Sequence, residues 1–200
     1  MDAHVEPDLV EGRSCGECNV CCVSLTINDV AMQKPQGYRC KNAQRDNSCA
    51  IYTDRPQTCR SFFCGWRKLK WVRPSLRPDS SGVLIRLHFD KPDASGARQL
   101  GVIVTLLTSA AVKAEGLAET IAAAIAAKVP VFISVPGPPG YTASVAKIND
   151  ALHDAVLTRD RPAVLEILRI ARNQGRKGDH KAIVLGPPRE HDPNDDLALG

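Results

Sequence analysis

A chain of 200 residues, 44% of them apolar and with a formal net charge of +4, is long enough to fold around its own core without covalent staples. Its charged fraction of 24% excludes wholesale disorder. The longest apolar run, Leu100 to Val112, is interrupted by Thr105, Thr108 and Ser109, and is too short to cross a bilayer core of about 30 Å as a helix.

Residues 1–13 read as a mobile leader. They are acidic and lack the apolar stretch of a secretory signal, so a cytoplasmic protein with no membrane partner is expected. All eight cysteines then fall between Cys15 and Cys64, in a segment expected to form a module of its own over 14–72. Thr26 and Asp29 have the spacing of a capping box and predict a short helix running to about Lys34, ended by Pro35 and Gly37. Cys40 to Cys49 is polar and loop-like. Pro56 suits the first turn of a second short helix carrying Cys59, with Asp54 as its cap.

Residues 73–82 hold Pro74, Pro78 and Gly82 and read as a linker. Beyond it, Val83–Phe89 and Leu100–Leu107 predict two strands with a turn at Pro92–Gly96 between them. Ser109 to Lys128 is alanine-rich and helical, weakened at Gly116, and Val129–Val135 is a third strand. The turn Pro136–Gly140 leads to a helix near Ser144–Leu157, and Arg161-Pro162 starts another to about Asn173. Lys181–Leu185 is a candidate added strand, and 187–200 a disordered tail. The order implies an α+β class, with α/β as the alternative: a small cysteine-rich, metal-held module, then a mixed-sheet domain with packed helices over 83–186.

The cysteines carry the chemistry. In a reducing compartment clustered thiols are ligands or redox groups more often than disulfides. Thiolate is a soft donor that selects zinc, copper(I) or iron–sulfur clusters. Cys15-x-x-Cys18 lets two sulfurs of one tight turn reach a single ion. Extended to Cys21, the triple matches the opening of a bacterial ferredoxin run, though the fourth cysteine and proline of that run do not follow. Cys21 and Cys22 are adjacent, so their side chains are expected to diverge toward different faces. Cys40, Cys49, Cys59 and Cys64 come singly. Between Arg39 and Arg77 ten lysines and arginines face only Asp46 and Asp54. Such an excess lowers thiolate pKa and neutralises an anionic metal site.

The run Cys-x-x-Cys-x-x-Cys-Cys, followed by Cys49-x-Ile51-Tyr52-x-x-Arg55-Pro56-x-x-Cys59-Arg60-x-Phe62, resembles the CxxCxxCC, or YkgJ-type, cysteine-cluster family, described as chelating zinc or iron. The match covers residues 15–66, and nothing after Trp71 resembles a known family. The resemblance implies that Cys15, Cys18, Cys21, Cys22, Cys40, Cys49, Cys59 and Cys64 are all candidate metal ligands. Flagellin lysine methylases share this cluster, which inclines the cofactor toward an iron–sulfur cluster over zinc ions.

Two other classes of function stay open at this stage. One is a structural zinc module without catalysis, serving a protein partner. The other is a single-stranded nucleic-acid binder, because Phe62 to Arg73 interleaves aromatics with cations. The overall basicity, with a pI near 8.7, favours the nucleic-acid reading least, and the same aromatics suit a lid between the metal module and the second domain. Arg55 and Arg60 read as partners of thiolates or carbonyls. His4, His88, His153, His180 and His191 are scattered, and the Pro136–Gly140 loop is a weak candidate for phosphate at a following helix N-terminus. No residue is assigned to catalysis.

Overall fold

The computed structural model describes residues 9–89 and 98–190. The front of the chain forms a short helix α1 (Val20–Ser24), a hairpin of β1 (Ile27–Asp29) and β2 (Met32–Lys34), and two further short helices, α2 (Gln57–Ser61) and α3 (Gly65–Lys68). After a single 3-10 turn at Pro74–Leu76 and α4 (Pro78–Ser81) come β3 (Val83–Phe89) and β4 (Leu100–Leu106). Then follow α5 (Leu117–Ala126), β5 (Val131–Val135), β6 (Ser144–Lys147), α6 (Asn149–Leu157) and α7 (Arg161–Arg176). The architecture is mixed α+β: a two-stranded antiparallel sheet and a four-stranded sheet of order β3-β4-β5-β6, in which only β4 and β5 run parallel. That one parallel pair needs a crossover, and α5 supplies it.

Strands β3, β4 and β5 are legible as runs of branched aliphatics, buried at successive positions in β3 and β4. Val83 and Ile85 lie opposite Leu106 and Val104, and Val104 in turn pairs Ile133. These residues form one buried core with Ile121 of α5, Leu152 of α6 and Leu168 of α7. Burying each such aliphatic side chain contributes about 1.5–3 kcal/mol. Asp160 caps α7 by accepting from the Ala163 amide at 3.0 Å, and Pro162 sits in the first turn, where its missing N–H is harmless.

Several expectations change. The helix expected to run to Lys34 is instead the β1–β2 hairpin. Asp29 does not cap a helix: its carboxylate accepts from the Ala31 amide at 2.8 Å and closes a two-residue turn, while Thr26 Oγ1 accepts from the Gln36 amide at 3.2 Å. The side chains of Met32 and Lys34 are buried with Gln33 between them exposed, the period of a strand. Asp54 makes no cap to α2, whose N-terminal boundary residue is Pro56.

The stretch expected as a linker, 73–82, is packed. Its prolines start two short helical turns, Gly82 ends the second at φ +69°, and Leu76 lies fully buried in the same core as Trp66, Val72 and the sheet. The end of the cysteine-bearing segment, Cys64 to Val72, and the sheet therefore share one hydrophobic core rather than hanging on a flexible tether. The long alanine-rich helix divides at Gly116 (φ +80°) into a 3-10 turn, Ala110–Lys113, and α5. The start of the helix near Ser144 becomes β6, paired with β5, and Lys181–Leu185 makes only an isolated bridge, Tyr141 with Ala182. The Pro92–Gly96 turn and residues 191–200 of the expected tail lie outside the described residues, as do residues 1–8 of the leader. The last leader residues are tied down: the Val10 amide donates to the Arg67 carbonyl at 2.8 Å, and Arg13 is fixed by its guanidinium.

Candidate functional site

The eight cysteines are all free thiols, ranging from exposed at Cys15 to buried at Cys40. Local backbone geometry sets the first four. The Cys18 amide donates to the Cys15 carbonyl at 2.8 Å, closing the tight turn that the spacing predicts. α1 then carries Cys21 and Cys22 on successive positions, about 100° apart around a helix. Their thiols nevertheless meet, and the expected divergence holds only for their other neighbours. A hydrogen bond from Cys21 to Cys22 pushes the Cys21 thiol well up and helps bring Cys22 down to about 6, with Lys34, Arg55 and Arg39 adding to the descent.

The later cysteines reach this nucleus by two routes. Cys64 precedes α3, and the Arg67 amide donates to its carbonyl at 2.9 Å, while the Arg67 guanidinium reaches the Cys15 sulfur at 3.3 Å. Arg77 donates to the Cys15 carbonyl at 3.1 Å. Burial raises the Cys64 thiol, and the charges of Cys15 and Cys18 raise it further. The second route runs through Cys40, whose amide donates to the Cys22 carbonyl at 2.9 Å and whose sulfur lies 3.5 Å from the Met32 thioether. Cys59, on α2, is pushed up to about 11 by burial and by the neighbouring charges of Cys22 and Cys40. Cys49 closes the Cys40 loop by bridging Ala43, and its carbonyl accepts from the Tyr52 amide at 3.2 Å. Arg55 stacks over the Tyr52 ring at 3.8 Å and donates to the Tyr52 carbonyl at 2.9 Å.

One residue at this site carries no motif signal. Lys34 is only 5% exposed, and its ammonium donates to the carbonyls of Leu25 (2.6 Å), Val23 (3.1 Å) and Pro35 (3.2 Å). Burial lowers its pKa, while Cys40, Cys22, Cys21 and Cys59 raise it. A cation is thus fixed by the hairpin beside the thiols. The strand alternation Met32-Gln33-Lys34 would have marked it as inward-facing, but the capping-box reading of Thr26–Asp29 concealed it.

The donor chemistry fits a soft ion. As the side chains stand, however, no group of three or more His, Cys, Asp or Glu among the described residues is placed to hold one.

The competing motifs resolve differently. Trp66 is buried at 8% exposure, and its indole N–H donates to the Pro74 carbonyl at 2.9 Å. Arg13 lies over the same ring at 5.4 Å and donates to the carbonyls of Trp66 (2.6 Å) and Val72 (2.7 Å). That aromatic is a lid on the shared core and not a stacking platform. The Pro136–Gly140 loop precedes a strand, so no helix N-terminus stands behind it. His88 packs edge-on against Phe132, His153 bonds Asp154 and His180 bonds the Thr142 carbonyl, while His4 and His191 lie outside the described residues. Among the described residues, no helix is long and apolar enough to cross a membrane. No family model matches the chain, and no curated protein or solved structure matches it either.

Proposed function

We propose that the protein binds a transition metal through its cysteine cluster, as an iron–sulfur cluster or as zinc, in the manner of the CxxCxxCC proteins its motif resembles, with a redox or modification role. The observation that carries this reading is eight free thiols in one segment, two of them from separate stretches joined by the Cys40 amide donating to the Cys22 carbonyl at 2.9 Å, with the buried Lys34 ammonium on the adjoining hairpin. Burying an ammonium is costly unless negative charge faces it, and thiolates on an ion supply that charge. Soft donors in a reducing cell interior, where free thiols persist, complete the case.

The residues that would hold the group are the eight cysteines. Bound there, an iron–sulfur cluster supplies one-electron transfer, and zinc supplies a structural cross-link. The chain's own cations (Lys34, Arg39, Arg55, Arg67) offset the thiolate charge, and Trp66 with Arg13 seals the site toward the core.

Oxygen-free purification with iron, zinc and acid-labile sulfide quantified tests the proposal. Iron and sulfide in proportion, with an EPR signal on reduction, support the cluster. Stoichiometric zinc without colour supports the structural module. A metal-free protein that takes up neither ion removes both.

A further inference from the structure

We infer that residues 180–189 are a strap that fastens the β1–β2 hairpin to the sheet domain and so closes access to Cys40, the one buried thiol of the eight. The strap acts on access alone, whichever group the thiols hold, and stands apart from the metal-binding reading.

Hydrogen bonds lay the strap along two surfaces in turn. Past α7 the chain runs antiparallel to residues 140–142. His180 Nδ1 meets the Thr142 carbonyl at 2.8 Å, the Thr142 amide donates to the Lys181 carbonyl at 2.8 Å, and the Ile183 amide donates to the Gly140 carbonyl at 2.7 Å. Tyr141 and Ala182 form the bridge between the two stretches. The chain then crosses onto the hairpin. There the Gln33 side chain donates to the Gly186 carbonyl at 2.9 Å and the Asn28 side chain to the Pro187 carbonyl at 3.4 Å. The Val30 amide donates to the Arg189 carbonyl at 3.1 Å, beside a parallel bridge from Asp29 to Arg189. The root of the hairpin is held by the same loop that holds the strap. The Gly140 amide donates to the Gln36 carbonyl at 2.9 Å, and the Gln36 side chain donates to the Tyr141 carbonyl. Gly37, at φ +83°, lies so close to Pro139 that a Cβ there would stand 2.7 Å from the proline Cα.

The hairpin in turn covers the thiol. Cys40 is 8% exposed, and its sulfur lies 3.5 Å from the thioether of Met32, itself 6% exposed on β2. Each hairpin strand has three residues, and a lone two-stranded hairpin is marginal in water, so its position depends on what holds it. The strap is exposed along most of its length, with Val184 at 90%. Hydrogen bonds rather than burial therefore keep it in place, and segments held that way open locally before a packed core does.

The test is alkylation of the reduced, metal-free full chain with iodoacetamide at one fixed pH, with Cys40 followed by mass spectrometry and hydrogen–deuterium exchange read over 26–36. Ile183→Pro removes the amide that reaches Gly140 and leaves the pairing within the hairpin untouched. Gln33→Ala, at an exposed position, removes the contact to Gly186. The net worth of one hydrogen bond corresponds to about two- to tenfold in an opening equilibrium. Each variant is expected to speed both Cys40 labelling and exchange over 26–36 by about that factor, while exposed Cys15 is labelled at the wild-type rate. Unchanged exchange in β3, β4 and β5 shows that the sheet stays folded; if Ile183→Pro disturbs it, Gln33→Ala carries the test. Faster exchange over 26–36 with Cys40 labelled at the wild-type rate overturns the closing of Cys40. Wild-type behaviour of both variants in both measurements overturns the strap itself. Either failure leaves the metal-binding reading standing, because neither measurement reads bound metal.

Discussion

Replacing Lys34 by methionine removes a buried cation at the cysteine cluster. The side-chain length is nearly kept, so packing of the β1–β2 hairpin changes little while three ammonium hydrogen bonds, to Leu25, Val23 and Pro35, are lost. Bonds from a charged donor are worth about 1.5–3 kcal/mol each. Three at the lower figure give about 4–5 kcal/mol, and the relief of no longer desolvating an ammonium returns part of it. A net loss near 3 kcal/mol follows, which is about a hundredfold in the opening equilibrium of the hairpin. Hydrogen–deuterium exchange on a peptide spanning 26–36 measures that opening directly. The expected result is exchange faster by up to about a hundredfold, with amides of the central sheet unchanged. If the peptide exchanges at the wild-type rate, the ammonium is not holding the segments together and its role beside the thiols is lost as well.

Thiol titration gives a second expectation, for reduced, metal-free protein. Cys22 is brought down to about 6 and Cys59 raised to about 11, from an ordinary thiol value of 9.0. Alkylation mapped by mass spectrometry should therefore label Cys22 first as pH rises from 6, and Cys59 only at much higher pH. The linkage has opposite signs: between pH 6 and 9 the unfolded chain holds more protons at Cys22, so stability rises with pH, whereas between 9 and 11 the folded chain holds more at Cys59 and stability falls. Uniform labelling of the two would contradict the arrangement. In Gly65→Ala, the added Cβ would sit 2.6 Å from Ile85 Cγ2. Displacing α3 from β3 should cost about 1–3 kcal/mol in a thermal melt, and an unchanged melting temperature would refute that packing. Chelation of the metal-loaded protein should speed exchange over 19–61, where α1 and α2 bury no residue, while β3, β4 and β5 keep their protection. Collapse of the whole exchange profile would instead make the cluster the organiser of the shared core.

Strands β3, β4 and β5 were legible because each is a run of branched aliphatics with a turn signal beside it, and β3 matches its expected span, Val83–Phe89. The placing of the thiols was equally legible: eight cysteines fall in one quarter of the chain, three of them at the spacing of tight turns. Short elements were not legible. In 27–34 the strand alternation competes with a helix-capping pattern, and pairing between the two arms decides it. In 73–82 the prolines that suggest a linker are equally good first-turn residues, and burial of Leu76 beside Trp66 decides that too. Local sequence thus determined where the thiols lie and which long apolar runs become strands. Which sulfurs become neighbours, and that Lys34 lies among them, depends on contacts between segments many residues apart, which the composition and spacing of any one segment do not encode.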